Sequence, residues 1–221
     1  MPKVIAIDGP SGSGKSTTAK GVAQRLGLQY LDTGAMYRAV TRAYLDAGVD
    51  PSDTDGLIRA TRAAEVEIST CPSDQWVRVN GRDVTAAIRE PEVSAKVSAI
   101  STIPECRQNL VSRQRAIIEA SDPGIVAEGR DITTVVAPDA DVRILLTADP
   151  QVRMARRKAE LGEKVDAVAL ADQVLRRDAD DSKLVNFSTA ADGVVNLDCT
   201  YLTLDETIDA VLSLARSANV C

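Results

Sequence analysis

The sequence predicts an α/β protein with a parallel sheet and helices on both faces of that sheet. Short apolar runs of strand length, such as residues 4–7 and 144–146, alternate with longer segments of helical spacing. Strands that are buried on both faces are continuously apolar, as these runs are. A glycine-rich stretch, residues 9–17, lies between the first predicted strand and the first predicted helix, and the chain is organised around it.

The glycine-rich stretch matches the phosphate-binding pattern G-x-x-x-x-G-K-S/T. Backbone N–H groups of such a loop point at one spot, where the helix N-terminus adds partial positive charge that suits phosphates. Lys15 is expected to reach the outer phosphates, and the Ser16 hydroxyl is expected to ligate a magnesium ion. A flexible turn without a ligand is the alternative, which the strand–loop–helix context disfavours. The predicted triphosphate-binding residues are Gly9, Pro10, Ser11, Gly12, Ser13, Gly14, Lys15, Ser16 and Thr17.

The composition excludes several classes of function. The 221 residues are 44% hydrophobic and 26% charged, which is typical of a soluble protein with a sizeable core. The net charge of −6 argues against a nucleic-acid-binding surface, and no apolar run approaches the roughly 20 residues that span a bilayer. Without any histidine, a Ser-His-Asp triad and histidine metal sites are excluded. With no signal-peptide pattern we expect a cytoplasmic protein, and without a C-x-x-C pair the four cysteines favour neither a disulfide nor a zinc site. A monomer is also expected.

The first half of the chain is predicted to combine α/β segments with a small insert. Asp32, Thr33 and Gly34 are expected to end the second strand. The pattern then changes to alternation over residues 65–85, where Asn80-Gly81 is a strong hairpin signal, so this region is predicted to be antiparallel. The other predicted elements here are helix 15–26, strand 28–31, helix 35–47 and helix 56–64.

In the second half, helices and short strands alternate again. Thr203 and Glu206 have the spacing of a capping box and start a closing amphipathic helix. The other predicted elements are helices 92–103, 104–120, 151–161 and 167–179, and strands 125–127, 141–147 and 194–197.

Arginines cluster near the predicted carboxyl ends of the strands, where α/β sheets bind ligands. Arg153, Arg156 and Arg157 share one helix face at i, i+3 and i+4. If the loop binds a nucleoside triphosphate, arginines nearby would suit the transfer of its phosphoryl group. Such a transfer needs two phosphate groups held in line and the charge on the moving group neutralised. Two basic helices joined by a loop would form a lid that excludes water. The alternative is a solvated helix face paired with Glu160 and Glu163.

Several stretches resemble bacterial cytidylate kinases, which are nucleoside monophosphate kinases with a P-loop NTPase fold. They are residues 5–17, residues 31–38 and the tetrapeptide Glu128-Gly129-Arg130-Asp131. The hairpin insert and residues 92–115 are similar too, so the resemblance covers nearly the whole chain. It implies transfer of the γ-phosphate of ATP to CMP or dCMP with Mg²⁺. The implied single domain has a core (1–34, 121–150, 190–221), a monophosphate-binding region (35–120) and a lid (151–183).

Carried over to the matching positions, the resemblance also implies the site residues. Asp131 would accept a hydrogen bond from cytosine N4, while Arg107 and Ser98 would satisfy O2 and N3. Arg38 and Arg130 would hold the acceptor phosphate. Uracil would be tolerated poorly, because its O4 is an acceptor facing a carboxylate. The implied acceptor-binding residues are Thr33, Tyr37, Arg38, Ser98, Arg107, Arg130, Asp131 and Asp181, and the implied catalytic residues are Lys15, Arg156, Arg157 and Arg177.

One segment departs from the family pattern. Residues 177–184 resemble R-D-x-x-D-x-x-R, in which Asp181 would contact the ribose, but Leu184 stands where the family has a phosphate-binding arginine. Lys183 is the candidate substitute, although a lysine does not reproduce a bidentate fork. Two other functions stay open: a P-loop kinase for another monophosphate or shikimate, and a nucleotide switch or regulatory ATPase. The switch is disfavoured because the chain lacks the N-K-x-D motif of GTPases.

Overall fold

The computed structural model describes residues 2–161 and 189–220. The predicted helix 167–179 and the positions Arg177, Asp181, Lys183 and Leu184 lie outside the described residues, as does most of the predicted lid. The strands are β1 Lys3–Asp8, β2 Gln29–Asp32, β3 Val66–Ile68, β4 Val77–Val79, β5 Arg82–Asp83, β6 Gly124–Gly129, β7 Val142–Thr147 and β8 Val195–Asp198. The α-helices are α1 Lys15–Leu26, α2 Thr33–Asp46, α3 Thr54–Ala63, α4 Pro91–Lys96, α5 Ser98–Ser101, α6 Pro104–Glu119, α7 Pro150–Leu161 and α8 Leu204–Ser217.

Five strands form the predicted parallel sheet in the order β2-β6-β1-β7-β8. The strand before the glycine-rich loop, β1, therefore lies at the centre. The register pairs Asp8 with Gly129 and Asp32 with Glu128. Carboxylates from the ends of three neighbouring strands thus meet at the carboxyl edge of the sheet.

Apolar residues on the two faces of the sheet build two clusters, so the core is divided by the sheet. Along β1 the side chains alternate: Ile5 and Ile7 belong to one cluster and Ala6 to the other. The cluster of Ile5 and Ile7 includes Val22 of α1 and Val211 of α8. The other includes residues of α2, α3, α6 and the insert. This arrangement confirms the predicted layers.

The antiparallel insert is confirmed. Its three strands have the order β3-β4-β5, with antiparallel pairing throughout. Asn80 and Gly81 form the hairpin turn with φ angles of 50° and 76°, a conformation that favours Asn and Gly. Val77 and Val79 are buried and anchor the insert to the cluster of Ala6.

Two local predictions are wrong. The strand β2 ends at Asp32 as expected, but α2 begins at Thr33 and not at residue 35, because the Asp32 Oδ1 atom accepts a hydrogen bond from the Ala35 N–H at 2.8 Å. This cap turns strand directly into helix. The expected helix 92–103 is divided into α4 and α5, since the N–H groups of Ile100 and Ser101 both bond the Val97 carbonyl and tighten the chain there.

Across residues 2–161 and 189–220, every helix is too short or too polar to cross a membrane.

Candidate active site

A cleft of about 660 Å³ lies at the carboxyl edge of the sheet. Its wall is formed by the loop after β1, the start of α1, the start of α2, the α4–α6 region and the end of β6. The lining residues are Ser11, Gly12, Gly14, Lys15, Ser16, Thr17, Lys20, Tyr30, Asp32, Thr33, Gly34, Tyr37, Arg38, Arg89, Ser94, Val97, Ser101, Arg107, Glu128, Gly129, Arg130, Asp131 and Arg157.

At two positions the backbone of the glycine-rich loop lies so close to another chain segment that only glycine fits. A Cβ atom on Gly9 would lie 2.3 Å from the Leu146 carbonyl oxygen. On Gly12, which has a φ of +76°, it would lie 2.5 Å from the Arg153 carbonyl oxygen. Gly14 caps α1 with a φ of 89°, so no side chain at that position covers the first turn of the helix. The loop thus has the backbone geometry of an anion cradle.

The Lys15 and Ser16 side chains extend from this loop toward different partners. The Lys15 Nζ atom donates to the Pro10 carbonyl at 3.3 Å, so the ammonium group lies over the loop. The Ser16 hydroxyl donates to the Glu128 Oε1 atom at 2.6 Å. The predicted metal-binding hydroxyl therefore already lies beside a carboxylate.

Two of the three arginines on α7 hold the loop through its carbonyl oxygens. Arg153 is only 8% exposed, and its Nη1 atom donates to the Ser11 carbonyl at 2.9 Å. Arg156 donates to the carbonyls of Ser13 at 3.3 Å and Cys199 at 2.9 Å. Arg157 is the one of the three that lines the cleft. The alternative of a solvated helix face is therefore wrong for the buried Arg153, and its pairing with Glu160 and Glu163 lies outside the side chains that the structure describes.

Glu128 and Asp32 form a pair of buried carboxylates in the cleft wall. Glu128 is 2% exposed, and its Oε1 atom also accepts a hydrogen bond from the Tyr30 hydroxyl at 3.2 Å. Burial, followed by the negative charge of Asp32, raises the pKa of Glu128, while Lys15 opposes the shift. Glu128 is therefore the member of the pair that holds a proton more readily.

Asp32 is the ionised member of that pair. Its Oδ2 atom accepts a hydrogen bond from the Arg38 Nη2 atom at 2.9 Å. Burial acts to raise the pKa of Asp32, but the charge of Arg38, the Ala35 N–H and other cationic groups together outweigh it, so the pKa lies below its ordinary value. A guanidinium group is thus fixed at the cleft wall.

Arg107 and Asp131, which also line the cleft, form a salt bridge. Asp131 is 6% exposed, and its Oδ2 atom accepts a hydrogen bond from the Arg107 Nη2 atom. The Arg107 Nη1 atom also donates to the Ser101 carbonyl at 3.4 Å. A charged acceptor and a charged donor are thus adjacent, which suits a ligand that carries hydrogen-bonding groups of both kinds.

The structure brings most of the predicted site residues to this one cleft. Thr33, Tyr37, Arg38, Arg107, Arg130, Asp131 and Arg157 line it together with six residues of the loop. Ser98 is half-buried on α5 and is absent from the cleft wall, whereas its neighbours Val97 and Ser101 line it. Gly9, Pro10 and Ser13 belong to the loop but do not line the cleft, and Arg156 contacts the loop from outside the cleft wall.

Ten residues of the wall were given no site role from the sequence: Lys20, Tyr30, Asp32, Gly34, Arg89, Ser94, Val97, Ser101, Glu128 and Gly129. Asp32 and Glu128 had a usable signal, since both are carboxylates at the ends of apolar strands. No such signal marks Lys20 within α1, Tyr30 within β2 or Arg89 after the insert.

The oxygen atoms beside the loop fit a magnesium ion. Mg²⁺ prefers hard oxygen ligands and uses few protein groups besides phosphate and water. The Ser16 hydroxyl and the Glu128 carboxylate, 2.6 Å apart, supply such oxygens next to the loop. The described residues contain no cluster of three or more acidic, cysteine or histidine side chains suited to a metal, so the fit is to an ion that arrives with its phosphates.

The family model and the curated relatives that match this chain carry the same description. The family model described as cytidylate kinase matches residues 5–217. The chain is 54% identical over 215 residues to a cytidylate kinase of Cutibacterium acnes, with 96% of each chain covered. It is 45% identical over 214 residues to a cytidylate kinase of Streptomyces avermitilis, covering 96% of this chain and 92% of the relative. An uncharacterized protein from Eubacterium ventriosum shares the fold alone, with a TM-score of 0.52, 12% identity and coverage of 98% and 99%.

Proposed function

This chain belongs to the cytidylate kinase family, and we propose how its described residues transfer the γ-phosphoryl group of ATP to CMP or dCMP. One observation carries the assignment of roles. The phosphate-binding loop and the Arg107–Asp131 pair line one and the same cleft. A donor nucleotide on the loop and an acceptor base at this pair would share the cleft, so that their phosphates could face each other, as in-line transfer requires.

The donor half is the loop with Lys15 and Arg157. Backbone N–H groups of the loop would hold the β- and γ-phosphates, and Lys15 would leave the Pro10 carbonyl to reach the outer phosphates. Arg157, on the cleft wall, would neutralise charge on the transferred group. Arg156 would contribute by bracing the Ser13 carbonyl, and Arg177 remains a predicted catalytic residue.

Ser16 and Glu128 are the residues that would hold magnesium. When bound with ATP, the ion supplies positive charge to the β- and γ-phosphate oxygens. Burial and the neighbouring charge of Asp32 raise the pKa of Glu128. The same carboxylate orients the Ser16 hydroxyl toward the loop.

The acceptor half is formed by the wall opposite the loop. Arg38, fixed by Asp32, and Arg130 would hold the acceptor phosphate, with Thr33 and Tyr37 bordering the nucleotide. Asp131 would accept a hydrogen bond from cytosine N4. Arg107 would complete the base site together with Ser98. Asp181 would contact the ribose, as the resemblance predicts. Uracil would place its O4 acceptor against Asp131 and lose that contact.

The assay that tests this compares CMP, dCMP, UMP and AMP as acceptors in a coupled ADP-release measurement. We expect the unaltered enzyme to prefer CMP, and Asp131→Asn to lower its CMP-to-UMP ratio of kcat/KM by about ten- to a hundredfold. The exposed Asp139 gives a matched control, because Asp139→Asn removes a nearby charge without touching the cleft. Equal turnover of UMP and CMP, or an unchanged ratio in Asp131→Asn, would contradict the base-reading role.

We also propose that the enzyme acts in the cytoplasm as a monomer, with the core, monophosphate-binding region and lid divided as the sequence predicts. Sedimentation velocity at several concentrations tests the monomer, which a concentration-dependent dimer peak would contradict.

A further inference from the structure

Asp8 is a buried carboxylate that lies between the glycine-rich loop and the chain segment after β6. It is the last residue of β1, directly before Gly9, and is 3% exposed. Its Oδ1 atom accepts a hydrogen bond from the Ile132 N–H at 2.8 Å. Its Oδ2 atom accepts two more, from the Thr133 N–H at 2.8 Å and the Thr133 hydroxyl at 2.6 Å. Asp8 itself does not line the cleft.

These hydrogen bonds extend the tie between β1 and β6 beyond the end of the sheet. The parallel register of the two strands runs from Lys3 with Gly124 to Asp8 with Gly129. The chain then leaves the sheet through Arg130 and Asp131, and the Asp8 carboxylate is bonded to the two residues that follow. The segment that carries two acceptor-binding residues is therefore fixed at both ends.

An ionised carboxylate is costly to bury, so its presence at this position indicates a specific role. Burial is the largest influence on the Asp8 pKa and raises it to about 6, against the hydrogen bonds from Thr133 and Ile132, with the neighbouring Asp131 adding to the rise. An ionised carboxylate accepts hydrogen bonds and donates none, so it satisfies all three donors at once. An amide in its place would direct an NH₂ group at one of the N–H groups.

We propose that Asp8 is a positioning residue for acceptor selection, which holds Asp131 at the acceptor base in register with the donor loop. It acts through the backbone of Ile132 and Thr133. The segment it fixes also includes the Asp131 carbonyl, which accepts the N–H groups of Val135 and Val136. This inference rests on the proposed base-reading role of Asp131.

The test measures kcat/KM for CMP and UMP, and KM for ATP, in Asp8→Asn, Thr133→Val and Thr133→Ser. We expect Asp8→Asn to lower the CMP-to-UMP ratio about tenfold, mainly through the KM for CMP, with the KM for ATP within about twofold. Thr133→Val, which removes one hydrogen bond, should lower the ratio about threefold. Thr133→Ser keeps the hydroxyl and should behave as the unaltered enzyme.

Asp131→Asn, measured in parallel, separates the two hypotheses. If Asp131→Asn loses discrimination while Asp8→Asn and Thr133→Val retain it, the positioning role is overturned and the base-reading role stands. If Asp131→Asn itself retains discrimination, both are overturned. A loss of stability in Asp8→Asn with an unchanged ratio would show a structural role alone. Should Asp8→Asn fail to fold, Thr133→Val against Thr133→Ser decides the question.

Discussion

Asp8 should make the stability of the protein fall as the pH rises from about 4 to about 6. Its pKa is raised from the ordinary value of 3.8 to about 6 in the folded protein, chiefly by burial. Between these two values the folded protein binds more protons than the unfolded chain, so the free energy of unfolding decreases with rising pH. The contribution of Asp8 is complete below the lower value and is lost above the higher one. The difference corresponds to about 3 kcal/mol.

Urea denaturation of the unaltered protein and Asp8→Asn, at steps from pH 4 to pH 8, isolates this contribution. Other carboxyls titrate in both proteins, among them Glu128 with a raised pKa and Asp32 with a lowered one. Their effects cancel in the difference between the two curves. The free energy of unfolding of Asp8→Asn minus that of the unaltered protein should rise by about 2 kcal/mol between pH 4 and pH 7, since at pH 4 part of the full difference is already lost.

Any constant offset between the curves reports the hydrogen bonds that the amide fails to accept, and does not affect the pH dependence. Curves that stay parallel across the range would refute the reasoning, since they would mean that burial does not shift the Asp8 pKa. A difference that falls with pH would place the pKa below 3.8 and make the hydrogen bonds from Thr133 and Ile132 the dominant influence.

Two further substitutions test the loop support and the insert. Arg153→Ala should raise the KM for ATP about tenfold and lower the free energy of unfolding by about 2 kcal/mol in urea titrations, because the Ser11 carbonyl loses its charged donor. Lys158→Ala, exposed on the same helix, should change neither, and an unchanged KM in Arg153→Ala would contradict the bracing role. Gly81→Ala should cost about 1 kcal/mol at its positive φ with CMP kinetics intact. Asn80→Gly is its control, and a fully stable Gly81→Ala would contradict the turn strain.

The elements that the sequence predicts best are those specified by neighbouring residues. Helix α1 has the predicted bounds because the glycine-rich loop precedes it and Gly27 ends it with a φ of 65°. The hairpin at Asn80-Gly81 and the capping box of Thr203 are also local signals. The start of α2 at Thr33 was missed because Asp32 to Gly34 were expected only to end the second strand, whereas Asp32 also caps the helix.

The candidate site was predictable where residues follow strands directly, and less so where a partner comes from afar. Glu128 and Asp32 follow apolar runs, but their pairing depends on the register between β2 and β6. The hydrogen bonds of Asp8 join it to Ile132 and Thr133, which are 124 and 125 positions away in the sequence. No periodicity encodes such a contact, since it results from how two strand ends and the chain after β6 pack together.

The arginines of α7 show the same limit most clearly. Helical spacing places Arg153, Arg156 and Arg157 on one face but does not say what that face meets. Arg153 contacts the Ser11 carbonyl 142 positions away, and one turn later Arg156 lies between the carbonyls of Ser13 and Cys199. Because a carbonyl oxygen beside the loop needs a donor as much as a phosphate does, the same residue type serves both purposes. The cationic helix behind the loop is therefore part of the loop's own structure, and only Arg157 of the three is placed to meet a nucleotide directly.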